Sequence, residues 1–299
     1  MRILVAGSNG FLGQAAVRSL LHEKQQIVRL LRYPRVTDGE VIVWNIKKDP
    51  PPLKSLENFD AIIHLGGENL AGLHWTEKKK WLIRESRAKT TQQIVDAILK
   101  LNNPPEVFLV ASAIGYYGNC GHEWVDESSP VGHGFLSEVC LNWESATEKI
   151  KKSGIRLVQL RSGLVLDRRG GILPQLMLPF KWGLGCKMGN GKQFVSWITL
   201  YDWLTVLKLI LSNRQIRGAL NLVTPNPVTQ DEFAEGLGRA FRRPVLFRFP
   251  DSLIRFFLGE MGEELLLFST RVRPSRLLGL GFSFKFPVLE NALKSIVDD

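Results

Sequence analysis

Short apolar runs recur along roughly the first 160 residues, separated by turns or by segments of helical periodicity. The run from Ile3 to Ala6 is continuous rather than alternating, which is typical of a parallel strand covered on both faces. Residues 11–22 then have the spacing of a helix. Further strands are predicted over 26–32, 41–44, 59–65, 107–112 and 155–161, and helices over 76–101 and 141–152. This alternation predicts an α/β fold with a doubly wound parallel sheet.

Three glycines follow the first strand at intervals of three residues. In such a turn the first glycine takes the backbone angles of the bend, the second lets a pyrophosphate approach the main chain, and the third lets the helix pack closely. The start of the helix presents free N–H groups and its positive dipole end to the phosphates. The pattern predicts a Rossmann-like dinucleotide site, and its expected contacts are Gly7, Ser8, Asn9, Gly10, Phe11, Leu12 and Gly13.

The second strand ends at Leu31 and Arg32, and no carboxylate follows before Asp38. Proteins of this fold that prefer NAD place an acidic residue here for the ribose 2′-hydroxyl, whereas arginine accommodates a 2′-phosphate. An arginine can hold a phosphate through two parallel hydrogen bonds. We therefore predict NADP(H) as the cofactor, with Arg32 on the 2′-phosphate and Arg35 as a second contact. Alternatively, Arg32 is a solvated loop residue that does not contact the cofactor.

The chain becomes rich in glycine and proline after Arg161, and its elements become shorter. Ligands of doubly wound sheets bind outside the carboxyl ends of the strands, where added elements form the substrate pocket. We expect residues 1–162 to form the NADP(H)-binding Rossmann domain. Residues 163–299 are expected to form mainly a smaller α/β substrate-binding region that interleaves with it. Within this region, Thr229 and Glu232 have the spacing of a helix capping box.

The net charge of +10, from 39 basic and 29 acidic residues, is spread along the chain rather than gathered in one patch. No zinc-finger or RNA-binding signature accompanies it, so we expect no nucleic-acid partner. A phosphorylated cofactor with a phosphorylated or acidic substrate would use part of this charge.

No apolar run approaches the roughly 20 residues of a membrane-spanning helix, and the first strand is too short for a signal-peptide core. We therefore expect a cytoplasmic protein with no membrane partner. The three cysteines are widely spaced and form no Cys-x-x-Cys motif, which predicts free thiols and no metal site.

Two later segments carry a resemblance. Residues 64–67 read His-Leu-Gly-Gly at the end of the fourth strand, and residues 112–118 read Ser-Ala-Ile-Gly-Tyr-Tyr-Gly from the end of the fifth. With the glycine spacing, they resemble the extended short-chain dehydrogenase/reductase superfamily, and more narrowly its epimerase-family, sugar-nucleotide epimerase-like members. The resemblance implies NADP(H) binding and an oxidoreductase or epimerase activity. It also implies further cofactor contacts from Leu65, Gly66, Gly67, Glu68, Ser112 and Arg161.

The chemistry of that superfamily depends on a Tyr-x-x-x-Lys pair, in which the ammonium lowers the pKa of a tyrosine that is otherwise about 10. None of the four tyrosines here has a lysine four residues later. If Glu144 matches the glutamate that commonly follows the motif, Leu136 and Cys140 stand in place of the tyrosine and lysine. The usual acid/base pair is therefore absent.

Three interpretations of the chemistry remain open. In the first, Tyr116 or Tyr117 relays a proton while Ser112 hydrogen-bonds a substrate oxygen. In the second, the proton relay is one of His64, Glu68 and His122. In the third, no reaction occurs and the protein is a nonenzymatic NADP(H)-sensing or regulatory module. Cys140 is not expected to be a nucleophile, because no base stands at a readable spacing and buried cysteines are usually inert.

The substrate is expected to be a small molecule, such as a nucleotide sugar or another phosphorylated or carbonyl compound. Arg161 and Trp197, together with the glycine-rich loop over 183–191, are the candidate substrate contacts. Alternatively, Arg161 is a partner in a structural ion pair, and Trp197 is a residue of the core. By analogy with similar proteins, a homodimer would form through the helices at about 76–101 and 135–152.

Overall fold

The computed structural model describes residues 1–34, 39–46, 48–72 and 74–298. Its central feature is a parallel sheet with the strand order β3-β2-β1-β4-β5-β6-β7. The strands are β1 (Arg2–Ala6), β2 (Gln26–Leu31), β3 (Glu40–Val43), β4 (Ala61–His64), β5 (Val107–Ala113), β6 (Arg156–Ser162) and β7 (Gly218–Leu222). The order reverses between β1 and β4, which is where sheets of this kind bind their ligands.

Helices cover both faces of the sheet. The helices of the described residues, in the sheet layers and in the smaller region beside them, are α1 (Phe11–His22), α2 (Glu77–Arg84), α3 (Thr90–Ile98), α4 (Phe135–Ser145), α5 (Glu148–Lys151), α6 (Leu173–Lys181), α7 (Leu200–Ser212), α8 (Gln230–Ala240), α9 (Asp251–Gly262), α10 (Ser275–Gly279) and α11 (Leu289–Asp298). Ile3 and Val5 pack with α1 and α7 on one face, while Leu4 and Ala6 pack with α3 and α4 on the other. Both faces of β1 are buried, which confirms the predicted Rossmann-like doubly wound sheet.

The predicted helix over 76–101 is interrupted. A π-helical segment, Glu85–Lys89, separates α2 from α3. Thr76 begins α2, because its side chain accepts a hydrogen bond from the Lys79 N–H. The second predicted helix begins at Phe135, earlier than residue 141, and ends at Ser145 before the single turn of α5.

Residues after 162 build a smaller region beside the carboxyl edge of the sheet. Short strand pairs join Leu164–Leu166 to Trp197–Thr199, Cys186–Met188 to Phe247–Phe249, and Phe194–Val195 to Val228–Thr229. A further pair joins Arg271–Val272 to Trp124–Val125, a strand from the first half of the chain. A separate core there includes Met177, Phe180, Phe233 and Leu237. This half of the chain also supplies β7 and α7 to the central sheet, so the two regions share elements.

The start of α8 has the capping box that its sequence predicts. Thr229 Oγ1 accepts a hydrogen bond from the Glu232 N–H, and the Glu232 carboxylate accepts one from the Thr229 N–H. Across the described ranges, no helix is both long and apolar enough to cross a membrane.

Candidate dinucleotide-binding site

The three glycines of the first turn have different surroundings. Gly7 has φ of +79°, and a Cβ built on it would lie 2.5 Å from the Gly66 nitrogen. A Cβ on Gly13 would lie 2.1 Å from the Gly7 oxygen, so this glycine allows α1 to pack against the turn. Gly10 has φ of −75°, and a Cβ there would contact only the Gly7 oxygen, at 3.4 Å. Gly10 therefore faces open space, as a site for a bulky ligand requires.

A cleft of about 280 Å³ opens beside this turn. It is lined by Ala6, Gly7, Ser8, Asn9, Gly10, Leu30, Leu31, Arg32, Tyr33, Trp44, Ile46, His64, Gly66 and Thr90. Arg32 is exposed and follows directly after β2, as the sequence predicts. The second predicted contact at this end, Arg35, lies outside the described residues.

Two buried polar atoms of the cleft lining lack partners within the described structure. They are Ser8 Oγ and His64 Nε2. The Nδ1 atom of His64 accepts a weak hydrogen bond from the Gly66 N–H at 3.4 Å. Burial lowers the pKa of His64 to about 4, so its imidazole is neutral at physiological pH. An unpaired buried polar atom is costly, and a polar ligand such as a dinucleotide would satisfy both.

The other predicted cofactor contacts have mixed surroundings. Asn9 is exposed in the turn, and its carbonyl accepts a hydrogen bond from Gln14 Nε2. Phe11 packs against Gly170 and Gly171. Leu12 and Leu65 pack against the core.

The segment after β4 is tied to the helices beside it. The Glu68 N–H donates to Ser86 Oγ at 2.9 Å, and its carboxylate accepts a hydrogen bond from Lys79 Nζ at 2.8 Å. These contacts fix the backbone of residues 66–68 at the carboxyl edge of the sheet, beside the cleft.

A second polar cluster lies further along this edge, and it is buried. Arg161 is 4% exposed and forms two hydrogen bonds to the Glu144 carboxylate, both at 2.8 Å. Ser112 Oγ donates to the same carboxylate at 2.7 Å. Arg161 Nη1 donates to the Tyr117 hydroxyl at 3.0 Å, and that hydroxyl donates to Asn221 Oδ1 at 2.8 Å. We call these five residues the Arg161–Glu144 cluster.

The sheet register explains this cluster. Ser112 on β5, Arg161 on β6 and Asn221 on β7 are direct neighbours across the three strands, so their side chains share one face. Glu144 reaches that face from α4. The guanidinium carbon of Arg161 also lies 3.6 Å from the centroid of the Tyr116 ring.

Electrostatics fix the protonation of the cluster. Burial raises the pKa of Tyr117 to about 12, although the charge of Arg161 opposes this rise. The tyrosine is therefore protonated at physiological pH. Burial alone would lower the pKa of Arg161, but hydrogen bonds to Glu144 and its charge outweigh burial and raise it above the ordinary value. The arginine stays charged and is held by its carboxylate partner.

The structure thus brings together four predicted site residues, Ser112, Tyr116, Tyr117 and Arg161. Glu144, which holds Ser112 and Arg161, entered the sequence analysis only as an alignment reference. Its spacing could have indicated its position, because Glu144 follows Cys140 by four residues. Residues four apart lie on the same face of a helix, so both side chains are on one face of α4. Asn221 gave no comparable signal, because it lies 104 residues from Tyr117.

The remaining candidate site residues do not line the cleft, and the cysteine among them is not ionised. Trp197 is fully buried in the core of the second region, and its Nε1 donates to the Asn226 carbonyl. His122 packs edge-on against the Phe194 ring. Cys140 is buried, and burial raises the pKa of its thiol to about 12, so it carries no thiolate at physiological pH.

The fold and the cleft define a Rossmann-like dinucleotide-binding protein. The chain belongs to the NAD dependent epimerase/dehydratase family, whose profile matches residues 3–222. Residues 249–296 match a second profile, described as a domain of unknown function (DUF1731).

Relatives extend over the whole chain. Epimerase family protein SDR39U1 from Homo sapiens is 34% identical over 300 residues, covering 99% of this chain and 100% of the relative. Epimerase family protein YfhF from Bacillus subtilis is 31% identical over 303 residues, covering 100% of this chain and 99% of the relative.

Two solved structures superpose on the whole chain. A crystal structure of human SDR39U1 (isoform 2) with NADPH superposes with a TM-score of 0.91 at 32% identity, covering 100% of both chains. UDP-glucose 4-epimerase from Thermus thermophilus, in complex with NAD, has a TM-score of 0.80 at 18% identity and covers 100% of this chain and 98% of its own. At that identity the second comparison supports the fold alone.

Proposed function

We propose that this chain binds NADP(H) in the cleft beside Gly7 and acts as an oxidoreductase or sugar-nucleotide epimerase-like enzyme. The observation that carries the cofactor assignment is the exposed Arg32 at the end of β2, where NAD-specific proteins place a carboxylate. The NADPH complex of human SDR39U1 supports it.

The residues of the cleft suit the parts of this cofactor. The free N–H groups at the start of α1 would hold the pyrophosphate beside Gly10, where an added Cβ would contact only the Gly7 oxygen. Arg32 would pair with the 2′-phosphate. The segment 65–68 follows β4 and would contact the remainder. When bound, NADP(H) supplies a nicotinamide that exchanges hydride with the substrate.

For proton transfer we propose Tyr116. It is half-buried, and the guanidinium carbon of Arg161 lies 3.6 Å from the centroid of its ring. Ser112 and Tyr117 are almost fully buried, and their hydroxyls donate to Glu144 and Asn221, so we assign them the positioning of Arg161 and Glu144. Arg161 itself then acts through Tyr116.

Replacing Arg32 with alanine should raise the Kd for NADPH by about ten- to a hundredfold, because a charge-assisted hydrogen-bonded pair is lost. The Kd for NADH should not change, since NADH lacks the 2′-phosphate. Fluorescence titration of both nucleotides measures this. Arg214→Ala is the matched control, because this exposed arginine pairs with Glu106 at the opposite edge of the sheet. Equal weakening of NADPH and NADH would contradict the role of Arg32.

A nonenzymatic NADP(H) sensor is the second candidate. Leu136 and Cys140 favour it, because neither can replace the tyrosine and lysine of the superfamily. Two assays distinguish the enzyme from the sensor. One measures turnover of NADPH with small carbonyl compounds, and the other measures turnover of nucleotide sugars. Activity that is lost in Tyr116→Phe supports the enzyme, whereas tight NADPH binding without turnover across the panel supports the sensor.

We further propose a cytoplasmic location and a homodimer. The outer faces of α2, α3 and α4 border an open groove of about 450 Å³ that a second copy could cover. Small molecules, such as a nucleotide sugar or another phosphorylated or carbonyl compound, are the proposed substrates. MoeE5, which shares the fold at 19% identity, has been solved in complex with UDP-glucuronic acid and NAD and with UDP-glucose and NAD.

A further inference from the structure

The smaller region carries an exposed apolar surface that none of the roles above uses. The four most exposed large apolar side chains of the described residues all lie in two segments, 178–184 and 246–257. They are Leu246 at 78%, Phe256 at 76%, Trp182 at 75% and Leu184 at 64% exposed. We call the exposed apolar side chains of these two segments the apolar patch. Single exposed apolar residues are ordinary, whereas a contiguous group of them marks an interaction site.

The two segments of the apolar patch form one surface because their strands pair. Phe247 lies directly beside Cys186 in the parallel strand pair of this region, so the end of the first segment adjoins the start of the second. The ring centroid of Phe249 lies 6.4 Å from that of Phe257. This contact joins the strand pair to α9, and the patch continues onto the helix.

The outer face of α9 is apolar, whereas the outer face of a surface helix is ordinarily polar. Leu253, Phe256 and Phe257 are exposed and stand three and four residues apart, so they share one face. The ring centroids of the two phenylalanines lie 5.1 Å apart. Ile254 and Met261 are buried, and they attach the helix to the rest of the protein. Covering the outer face would remove a large apolar area from water, which favours binding of a partner there.

The chain around the apolar patch is strongly basic. Residues 178–188 and 242–257 contain six basic residues and one acidic residue, so six minus one gives +5 of the net charge of +10. Three of the six basic side chains form ion pairs with carboxylates. Three others are exposed, and no ion pair engages them within the part of the chain that the structure describes: Lys181, Arg242 and Arg243. These cations favour a partner with negative charge.

A bilayer surface with acidic lipids fits both features of the patch. Aromatic and leucine side chains enter the boundary between head groups and acyl chains, and lysine and arginine attract acidic head groups. A protein partner would need a pocket for each projecting side chain, whereas a bilayer accepts these side chains without a matching shape. Surface binding of this kind requires no membrane-spanning helix.

We propose that the protein docks on anionic membrane surfaces through the apolar patch. Phe256 and Phe257 insert below the head groups, while Lys181, Arg242 and Arg243 contact the acidic lipids. The inference goes beyond NADP(H) binding. It differs from the expectation of no membrane partner, which rested on the lack of a spanning segment. A cytoplasmic protein meets such a surface at the cytoplasmic leaflet, where acidic lipids are abundant.

Co-sedimentation of the full chain with lipid vesicles tests the proposal. One set of vesicles contains phosphatidylcholine with about 30% phosphatidylserine, and the other contains phosphatidylcholine alone. The partition coefficient should be at least about tenfold higher for the acidic vesicles. It should fall as the salt concentration is raised, because salt screens the attraction between the cations and the head groups.

The apolar contribution is tested by the double variant Phe256→Ser, Phe257→Ser. It should lower the partition coefficient on acidic vesicles by more than about tenfold, because two inserted rings are lost. Leu21→Ser, Val288→Ser is the matched control, since these two apolar side chains are each 47% exposed and lie outside the patch. The control should sediment with the vesicles like the wild-type protein.

The contribution of charge is tested by Arg242→Gln, Arg243→Gln. Binding to acidic vesicles should weaken by about tenfold or more, because each cation near the surface contributes to the attraction. Lys100→Gln, Lys152→Gln removes the same charge at two exposed positions outside the patch and should bind like the wild-type protein.

The other outcomes overturn the proposal. Wild-type protein that binds neither kind of vesicle, or both equally, would contradict an acidic bilayer as the partner. Equal weakening in a patch variant and its control would show that the patch is not the contact. Sedimentation velocity that finds a wild-type dimer and a monomeric Phe256→Ser, Phe257→Ser variant, without vesicle binding, would assign the patch to a second copy. If that variant fails to fold by circular dichroism, the arginine variant decides, and unchanged vesicle binding by it overturns the proposal.

Discussion

Alanine at position 10 is expected to abolish tight NADPH binding while the protein folds normally. Gly10 has backbone angles that alanine readily adopts, and its nearest non-adjacent atom lies 3.4 Å from the new methyl group. That methyl would occupy the open side of the turn, where the pyrophosphate must approach the N–H groups of α1. Loss of these charge-assisted hydrogen bonds should raise the Kd for NADPH by about a hundredfold, as measured by calorimetry.

Gly13→Ala is the matched comparison, because the same methyl group is added three residues later. Here it would lie 2.1 Å from the Gly7 oxygen, so the backbone must move. We expect a loss of about 1–3 kcal/mol in the free energy of unfolding, measured in urea. Normal NADPH binding by Gly10→Ala would contradict the placement of the pyrophosphate, and a stable Gly13→Ala would contradict the packing of the turn.

The second large effect concerns stability. Glu144→Gln removes the only carboxylate that holds Arg161 within the described residues and leaves a guanidinium of 4% exposure without a counter-charge. Breaking one side of a buried ion pair typically costs about 3–5 kcal/mol. We therefore expect the free energy of unfolding in urea to fall by about that amount.

Two further variants separate this effect from a general loss of charge. Glu148→Gln breaks the exposed pair with Lys151, which should cost less than about 1 kcal/mol. The double variant Glu144→Leu, Arg161→Met removes both buried charges and should be more stable than Glu144→Gln alone. A Glu144→Gln protein as stable as the Glu148→Gln control would show that the buried pair does not hold these strands and α4 together.

Much of the fold follows from local patterns. The continuous apolar runs predict buried parallel strands because both faces of the sheet are covered, and six of its seven strands have such a signal before residue 162. The π-helical segment was not predicted, because an extra residue per turn shifts the apolar periodicity without leaving a distinctive residue type. A continuous helix was therefore the expectation over 76–101.

The cleft was more predictable than the cluster behind it. Gly7 and Gly10 are close together in the turn after β1, and Arg32 follows the end of β2. The topology of the sheet fixes the position of both strand ends. Arg161 and Asn221 meet only because β6 and β7 pair in a particular register, which periodicity cannot provide.

We expect this cleft to recognise NADP(H) through its 2′-phosphate. Titration of the wild-type protein with NADPH and NADH, followed by nucleotide fluorescence at fixed ionic strength, tests it most directly. We expect NADPH to bind at least about tenfold more tightly than NADH, because only NADPH can pair with Arg32. Equal binding of the two nucleotides, or tighter binding of NADH, would contradict the account.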